Sequence, residues 1–125
     1  MVEYSADSVD RTAFQVQNHE ADGAVVIAVS GDVDMVTAPR LAEAIDAAIA
    51  TRPAALIVDL SKVQFLASAG MTVLVTAQDQ VVPPTRFAVV ADGPATSRPI
   101  KLMGIDSTFA LYRTRDTALA GIADE

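Results

Sequence analysis

Ala55-Leu56-Ile57-Val58-Asp59-Leu60-Ser61-Lys62-Val63-Gln64-Phe65-Leu66-Ala67-Ser68-Ala69-Gly70 is the stretch on which the fold turns. Residues 55–60 form an apolar, β-branched run closed by one acid, the pattern of a strand buried on both faces in a parallel sheet. Residues 63–67 read as a short extended connection. From Ser68 to about residue 82 two readings compete. Thr72, Val73, Val75 and Thr76 favour a strand, because β-branched side chains lose rotamer freedom in a helix. The segment is long for a strand, however, and Thr72, Thr76, Asp79 and Gln80 share one helical face. The spacing predicts a largely buried helix, stopped by Pro83-Pro84.

Working outward, the same alternation recurs on both sides. Thr37 precedes a helix over 37–51 with Pro39 in its first turn, where a missing N–H is tolerated. Leu41, Ile45, Ala48 and Ile49 lie on one side of it and Arg40, Glu43 and Asp46 on the other. Before it, 24–29 is a continuous apolar strand, and Gly31 reads as its end. Phe14 and Val16 alternate with Gln15 and Gln17, so a half-exposed strand and the turn 18–23 make an opening hairpin. On the other side, 86–91 is a further buried strand. A short helix over 96–103, closed by Gly104, follows it. A last strand over 109–112 and a helix over 116–122 finish the chain. The order ββαβαβαβα predicts an α/β fold: a mixed, mostly parallel sheet led by a β-hairpin and flanked by helices. Residues 1–11 read as a mobile acidic arm and 12–125 as one domain, the usual size for a single core.

Composition narrows the chemistry. Among 125 residues, hydrophobic types make up 51% and charged types 20%, enough to bury a core. Sixteen acids against nine bases give a formal charge of −7, which argues against nucleic acid and against anionic membranes as partners. With no cysteine there is no disulfide, thiolate nucleophile or Cys-based zinc site, and one His removes most His-based metal and triad chemistry. The longest uncharged run, 63–78, is interrupted by Ser68, Gly70, Thr72 and Thr76 and falls short of the roughly 20 apolar residues a span needs. The early acids and the missing apolar region mark the first residues as no signal peptide. A cytoplasmic protein is expected.

Few residues then remain as candidates. His19, between acids in a turn, reads as solvated. A serine hydrolase is disfavoured, because Leu66 stands where the nucleophile elbow requires Gly two residues before the Ser. Asp32, Asp34 and Asp59, after successive strands, would suit a Mg²⁺ site with an aspartyl phosphoacceptor, as in a receiver domain. Against that reading, Lys101 falls in a helical segment rather than at a strand end. Ser68 is the remaining anomaly. It reads as a helix N-cap, worth about 1 kcal/mol over Ala. Its small neighbours Ala67, Ala69 and Gly70 also leave the hydroxyl open, and a phosphate there would meet free N–H groups and the positive helix end. Both readings stand on the residues alone.

The chain resembles the STAS domains, and within them the bacterial anti-sigma factor antagonists. The resemblance runs from about Phe14 to Ile122. It is carried by Gly31-Asp32-Val33-Asp34 before Thr37-Ala38-Pro39-Arg40-Leu41, by Val58 through Gly70, by Ile100-Lys101-Leu102-Met103-Gly104-Ile105-Asp106, and by Thr117-Ala118-Leu119. It implies a single STAS domain that is not an enzyme and holds no cofactor or metal. The family's Asp-Ser-x-Gly phosphoacceptor falls on Ser68, with Gly70 two residues on and Ala67 replacing the Asp. Asp34 falls on the loop beside it, where family members contact their partner. The implied partner is an anti-sigma factor, commonly a serine kinase that supplies ATP and Mg²⁺, with a serine phosphatase reversing the modification. A partner packed on Ala67, Ser68, Ala69, Gly70, Met71 and Thr72 would not accommodate the added charge of about −1.5 to −2. The rival implication is an accessory STAS subunit of a lipid-transport ABC transporter, using the same face without phosphorylation.

Overall fold

The computed structural model of the protein describes residues 14–123. The arm expected over 1–11 lies outside them, as do the first and last residues of the expected domain. The described chain forms one five-stranded sheet in the order β1-β2-β3-β4-β5. Its strands are β1 (Gln15–Ala21), β2 (Ala24–Val33), β3 (Ala55–Leu66), β4 (Arg86–Val90) and β5 (Ala110–Tyr112). Four helices accompany them: α1 (Ala38–Ala50), α2 (Ser68–Gln80), α3 (Ser97–Leu102) and α4 (Arg115–Ala123). β1 and β2 are antiparallel and every other neighbouring pair is parallel. The hairpin closes at Asp22 and Gly23, both at positive φ, as a two-residue turn matching strand twist requires.

The three inner strands are apolar on both sides because each side has its own cover. Val25, Ile27, Val29, Leu56, Val58, Leu60, Phe87 and Val89 form the main core with Leu41 and Ile45 of α1, Leu74 and Ala77 of α2, and Ile100 of α3. On the opposite face Val26, Ile57, Ala88 and Val90 meet Ala118 of α4, with Tyr112, Leu119 and Ile122 half-buried around them. Burial of this kind stabilises by roughly 25 cal/mol per Å² of apolar surface removed from water.

The segment after Ser68 is a helix, as its length and polar face predict. Gly70, Met71, Leu74 and Ala77 form its buried stripe, and Val73 and Val75 pack partly buried against the core. Tertiary packing therefore overrides the strand propensity of its valines and threonines. Strand boundaries differ from expectation at three places. The expected turn 18–23 shortens to Asp22 and Gly23, because β1 stays paired with β2 as far as Ala21 and carries His19 as an exposed strand residue. Gly31, expected to end β2, sits inside it at φ 90, and pairing continues to Val33 opposite Leu66 through register shifts on either side of Gly31. The expected connection 63–67 is accordingly strand as far as Leu66, and Asp59 is an interior strand residue rather than a terminal one.

Candidate functional site

The ends of β2 and β3 meet at one corner of the sheet. The Ala67 N–H donates to the Val33 carbonyl at 2.8 Å, so the loop entering α1 and the start of α2 are locked side by side. That bond carries the β2–β3 pairing one residue past Leu66, and together they set the loop of Asp34 next to the turn of Ser68.

Asp34 organises its loop. Its Oδ1 accepts the N–H of Val36 at 2.9 Å and of Thr37 at 3.0 Å. Its own N–H donates to Thr37 Oγ1 at 2.9 Å, while the Thr37 hydroxyl donates to the Asp32 carbonyl at 2.8 Å. The Asp34 carbonyl then accepts the Ala38 N–H at 2.8 Å, opening α1. The Thr37 N–H foremost, with lesser help from Val36, holds the Asp34 carboxyl below its ordinary value against an opposing desolvation. This closed loop turns the next two side chains outward: Met35 is 80% exposed and Val36 79%. Sequence reasoning passed over both, although neither belongs to any apolar period that would place it in the core.

Ser68 differs from expectation in one respect. The N-cap of α2 is Ala67, extended at φ −85 and ψ 170, and Ser68 is the first helical residue. Ser68 is exposed and its hydroxyl bonds no other described residue; the Ser68 carbonyl accepts the Thr72 hydroxyl at 3.1 Å. With Ala at the cap position no side chain caps the helix, and Gly70 and Met71 are the first amides to find an acceptor, the Ala67 carbonyl. The hydroxyl stands at the rim of a shallow, mostly apolar groove of about 230 Å³ formed with Met71, Thr72, Val75, Thr76, Met103 and Ile105. Ala69 is half-buried, Gly70 and Met71 are buried, and Ser68 and Thr72 are the exposed members of the expected contact set. Gly70 faces inward for a steric reason. A Cβ there would lie 2.5 Å from Val33 Cγ1 and 2.7 Å from Leu66 Cδ1. Met103 of the groove, and Phe65 and Leu102 beyond it, add exposed apolar surface that sequence reasoning also missed.

The aspartyl phosphoacceptor reading fails on geometry. Among the described residues no three His, Cys, Asp or Glu side chains gather where a metal ion could sit. Asp59 is buried in mid-strand and paired with Arg115, Asp32 is exposed at the end of β2, and Lys101 lies in α3. Nor is any described helix long and apolar enough to cross a membrane.

A mixed five-stranded sheet led by a hairpin also describes known proteins. The STAS domain family model matches residues 15–118. The chain belongs to the STAS domain family. Within it, this STAS chain is 41% identical over 113 residues to the anti-sigma-F factor antagonist RsfB of Mycobacterium tuberculosis, covering 90% of this chain and 91% of that one. It superposes on the crystal structure of an anti-sigma factor antagonist from Mycobacterium paratuberculosis with a TM-score of 0.87 at 47% identity, over 90% of this chain and 97% of that one. The anti-sigma factor antagonist SpoIIAA in its unphosphorylated form shares the fold, with a TM-score of 0.69 at 17% identity over 90% of this chain and 98% of that one.

Proposed function

We propose that the protein is an anti-sigma factor antagonist that binds an anti-sigma factor, thereby frees a sigma factor for transcription, and is switched off by phosphorylation of Ser68. The observation that carries the reading is the unpartnered Ser68 hydroxyl at the rim of an apolar groove, beside a loop that presents Met35 and Val36 to solvent. The names of the relatives support the antagonist role, and the local chemistry supports the switch. An apolar partner surface docks on the groove with little desolvation cost. A phosphate at its rim puts a strongly hydrated, doubly charged group where that surface must come into contact, and the complex is lost by desolvation and steric conflict.

The modification leaves the fold intact. Ser68 lies in the first turn of α2, where the helix dipole and the uncapped amides favour negative charge. The kinase is then the partner itself, supplying ATP and Mg²⁺, and a serine phosphatase resets the switch. The protein performs no catalysis and acts in the cytoplasm. With Ala67 in place of an acid, the acceptor lacks one neighbouring negative charge, so recognition by the kinase rests on Ser68 and the surrounding surface.

The test is capture of partners from the native host by wild type, Ser68→Asp and Ser68→Ala, together with phosphate incorporation from ATP. The expected result is a kinase-type anti-sigma factor bound by wild type and Ser68→Ala but weakly by Ser68→Asp, with phosphate on wild type alone. Capture of a transporter ATPase instead, equally by all three, would replace this reading with that of an accessory transporter subunit.

A further inference from the structure

The sheet face opposite α1 and α2 is unevenly covered. α4 packs over Ile57, Ala88 and Val90, while Gln15, Gln17 and His19 of β1 on the same face are exposed. Between them lies a cleft of about 340 Å³, lined by these three residues together with Asp59, Lys62 and Arg115. Its floor is a built ion pair. Asp59, only 4% exposed, accepts from Arg115 Nε at 3.0 Å and Nη2 at 2.9 Å, and its Oδ1 accepts the Ser61 N–H at 2.9 Å.

That pair fixes a guanidinium without consuming it. A guanidinium has five N–H donors, and Asp59 engages Nε–H and one edge of Nη2. The remaining donors have no partner among the described residues, and the side chain is 40% exposed. Lys62 is exposed and carries no ion pair among the described residues. The cleft therefore sets two cations against one carboxylate, on a chain whose net charge is −7. The opposing wall is of another kind. β1 brings Gln15, Gln17 and His19, groups that both donate and accept hydrogen bonds, and their side chains are unspent among the described residues. An exposed strand edge is more commonly stocked with Lys and other charges.

We propose that this cleft binds a small phosphate ester with a hydroxylated body, Arg115 and Lys62 holding the phosphate and Gln15 and Gln17 the body. A pre-oriented guanidinium edge beside a mobile ammonium suits a phosphate dianion better than a single carboxylate. The volume lies near the lower end for small-molecule sites, enough for a phosphate and a sugar-sized body. The site is separate from Ser68, whose helix packs on the other face of the sheet.

The experiment is an amide NMR titration of the full chain with ribose 5-phosphate, run beside inorganic phosphate and beside ribose. The ester is expected to give saturable shifts centred on Gln15, Gln17, Lys62 and Ser30, which also lines the cleft, with a Kd of about 1 mM or below. Inorganic phosphate is expected to shift the Lys62 and Arg115 region more weakly, and ribose to shift nothing. Lys62→Gln, a surface change that keeps the fold, is expected to weaken the ester about tenfold, the loss of one charge-assisted contact. The double variant Asp59→Asn, Arg115→Gln keeps polar partners on the floor while removing the guanidinium, and is expected to abolish binding with its folded spectrum retained. Absence of saturable shifts with either phosphate probe up to about 10 mM would overturn the proposal. So would an undiminished response in Lys62→Gln. Equal affinity for the ester and inorganic phosphate would overturn the role given to the β1 amides.

Discussion

Gly70 and Val33 approach so closely that no side chain fits between them: a Cβ on Gly70 would stand 2.5 Å from Val33 Cγ1. The contact joins the first turn of α2, which Ser68 opens, to the last residue of β2. Glycine is here because the helix must lie close to the strand, and the cost in helix propensity is accepted for it.

Gly70→Ala sets two effects against each other. Alanine favours the helix by about 1 kcal/mol. Overpacking against a β-branched side chain on a buried strand costs about 1–3 kcal/mol. The packing term is the larger one, and the expected outcome is a net loss of about 1 kcal/mol in urea unfolding, with a shift of the amide signals of Val33 and Ser68. An increase in stability would mean that the helix moves away from the strand at little cost.

The cap position of α2 predicts a gain. Ala67 already has the extended backbone an N-cap needs but offers no side-chain acceptor. Ala67→Ser or Ala67→Asp is expected to stabilise the fold by about 1 kcal/mol, read as a higher Tm. Ser68→Ala, which removes a first-turn residue rather than a cap, is expected to change stability by less than about 0.5 kcal/mol. A larger loss in Ser68→Ala than the gain in Ala67→Ser would return the capping role to Ser68.

Asp34 predicts an acid limb. Its folded pKa lies below the ordinary value of 3.8, so the unfolded chain binds the proton more tightly. The stabilisation is complete above that ordinary value and is lost as pH falls through the folded pKa. Asp34→Asn is therefore expected to be less stable than wild type near neutrality and to converge on it in strong acid. Parallel stability curves for the two proteins over that range would show that the carboxylate contributes nothing.

The Asp59–Arg115 pair predicts an asymmetry. Arg115→Ala leaves a buried carboxylate facing mainly the Ser61 N–H, whereas Asp59→Ala leaves a guanidinium that can reach water. Arg115→Ala is expected to lose about 2 kcal/mol and Asp59→Ala distinctly less, both measured by chemical unfolding. The reverse order would indicate that the strand, not the helix, depends on the pair.

Met35→Ala and Val36→Ala separate docking from folding. Both side chains are almost fully exposed, so each change is expected to alter stability by less than about 0.5 kcal/mol. If this loop meets the anti-sigma factor, each is expected to weaken the complex by about tenfold, as burying such a side chain is worth about 1.5–3 kcal/mol. Unchanged affinity in both variants would place the contact elsewhere.

Much of the architecture was legible in the chain itself. The apolar runs at 24–29, 55–60 and 86–91 have no polar face to give to water, so they had to be central strands covered on both sides. The helical spacing of Leu41, Ile45 and Ala48 named the buried face of α1, and the acid excess and missing cysteines removed whole classes of chemistry. These are local properties, set by side-chain polarity and period along the chain. What only the tertiary structure decided depends on residues distant in sequence. Gly31 looks like a strand end until β3 continues beside it. Ser68 looks like a cap until the bond from Ala67 to Val33 sets the helix start one residue earlier. Asp59 looks like a strand-ending acid until Arg115, 56 positions later, reaches back across the sheet to neutralise it. A carboxylate can be buried only where a partner arrives, and the arrival of that partner is a fact of the fold that no local pattern contains.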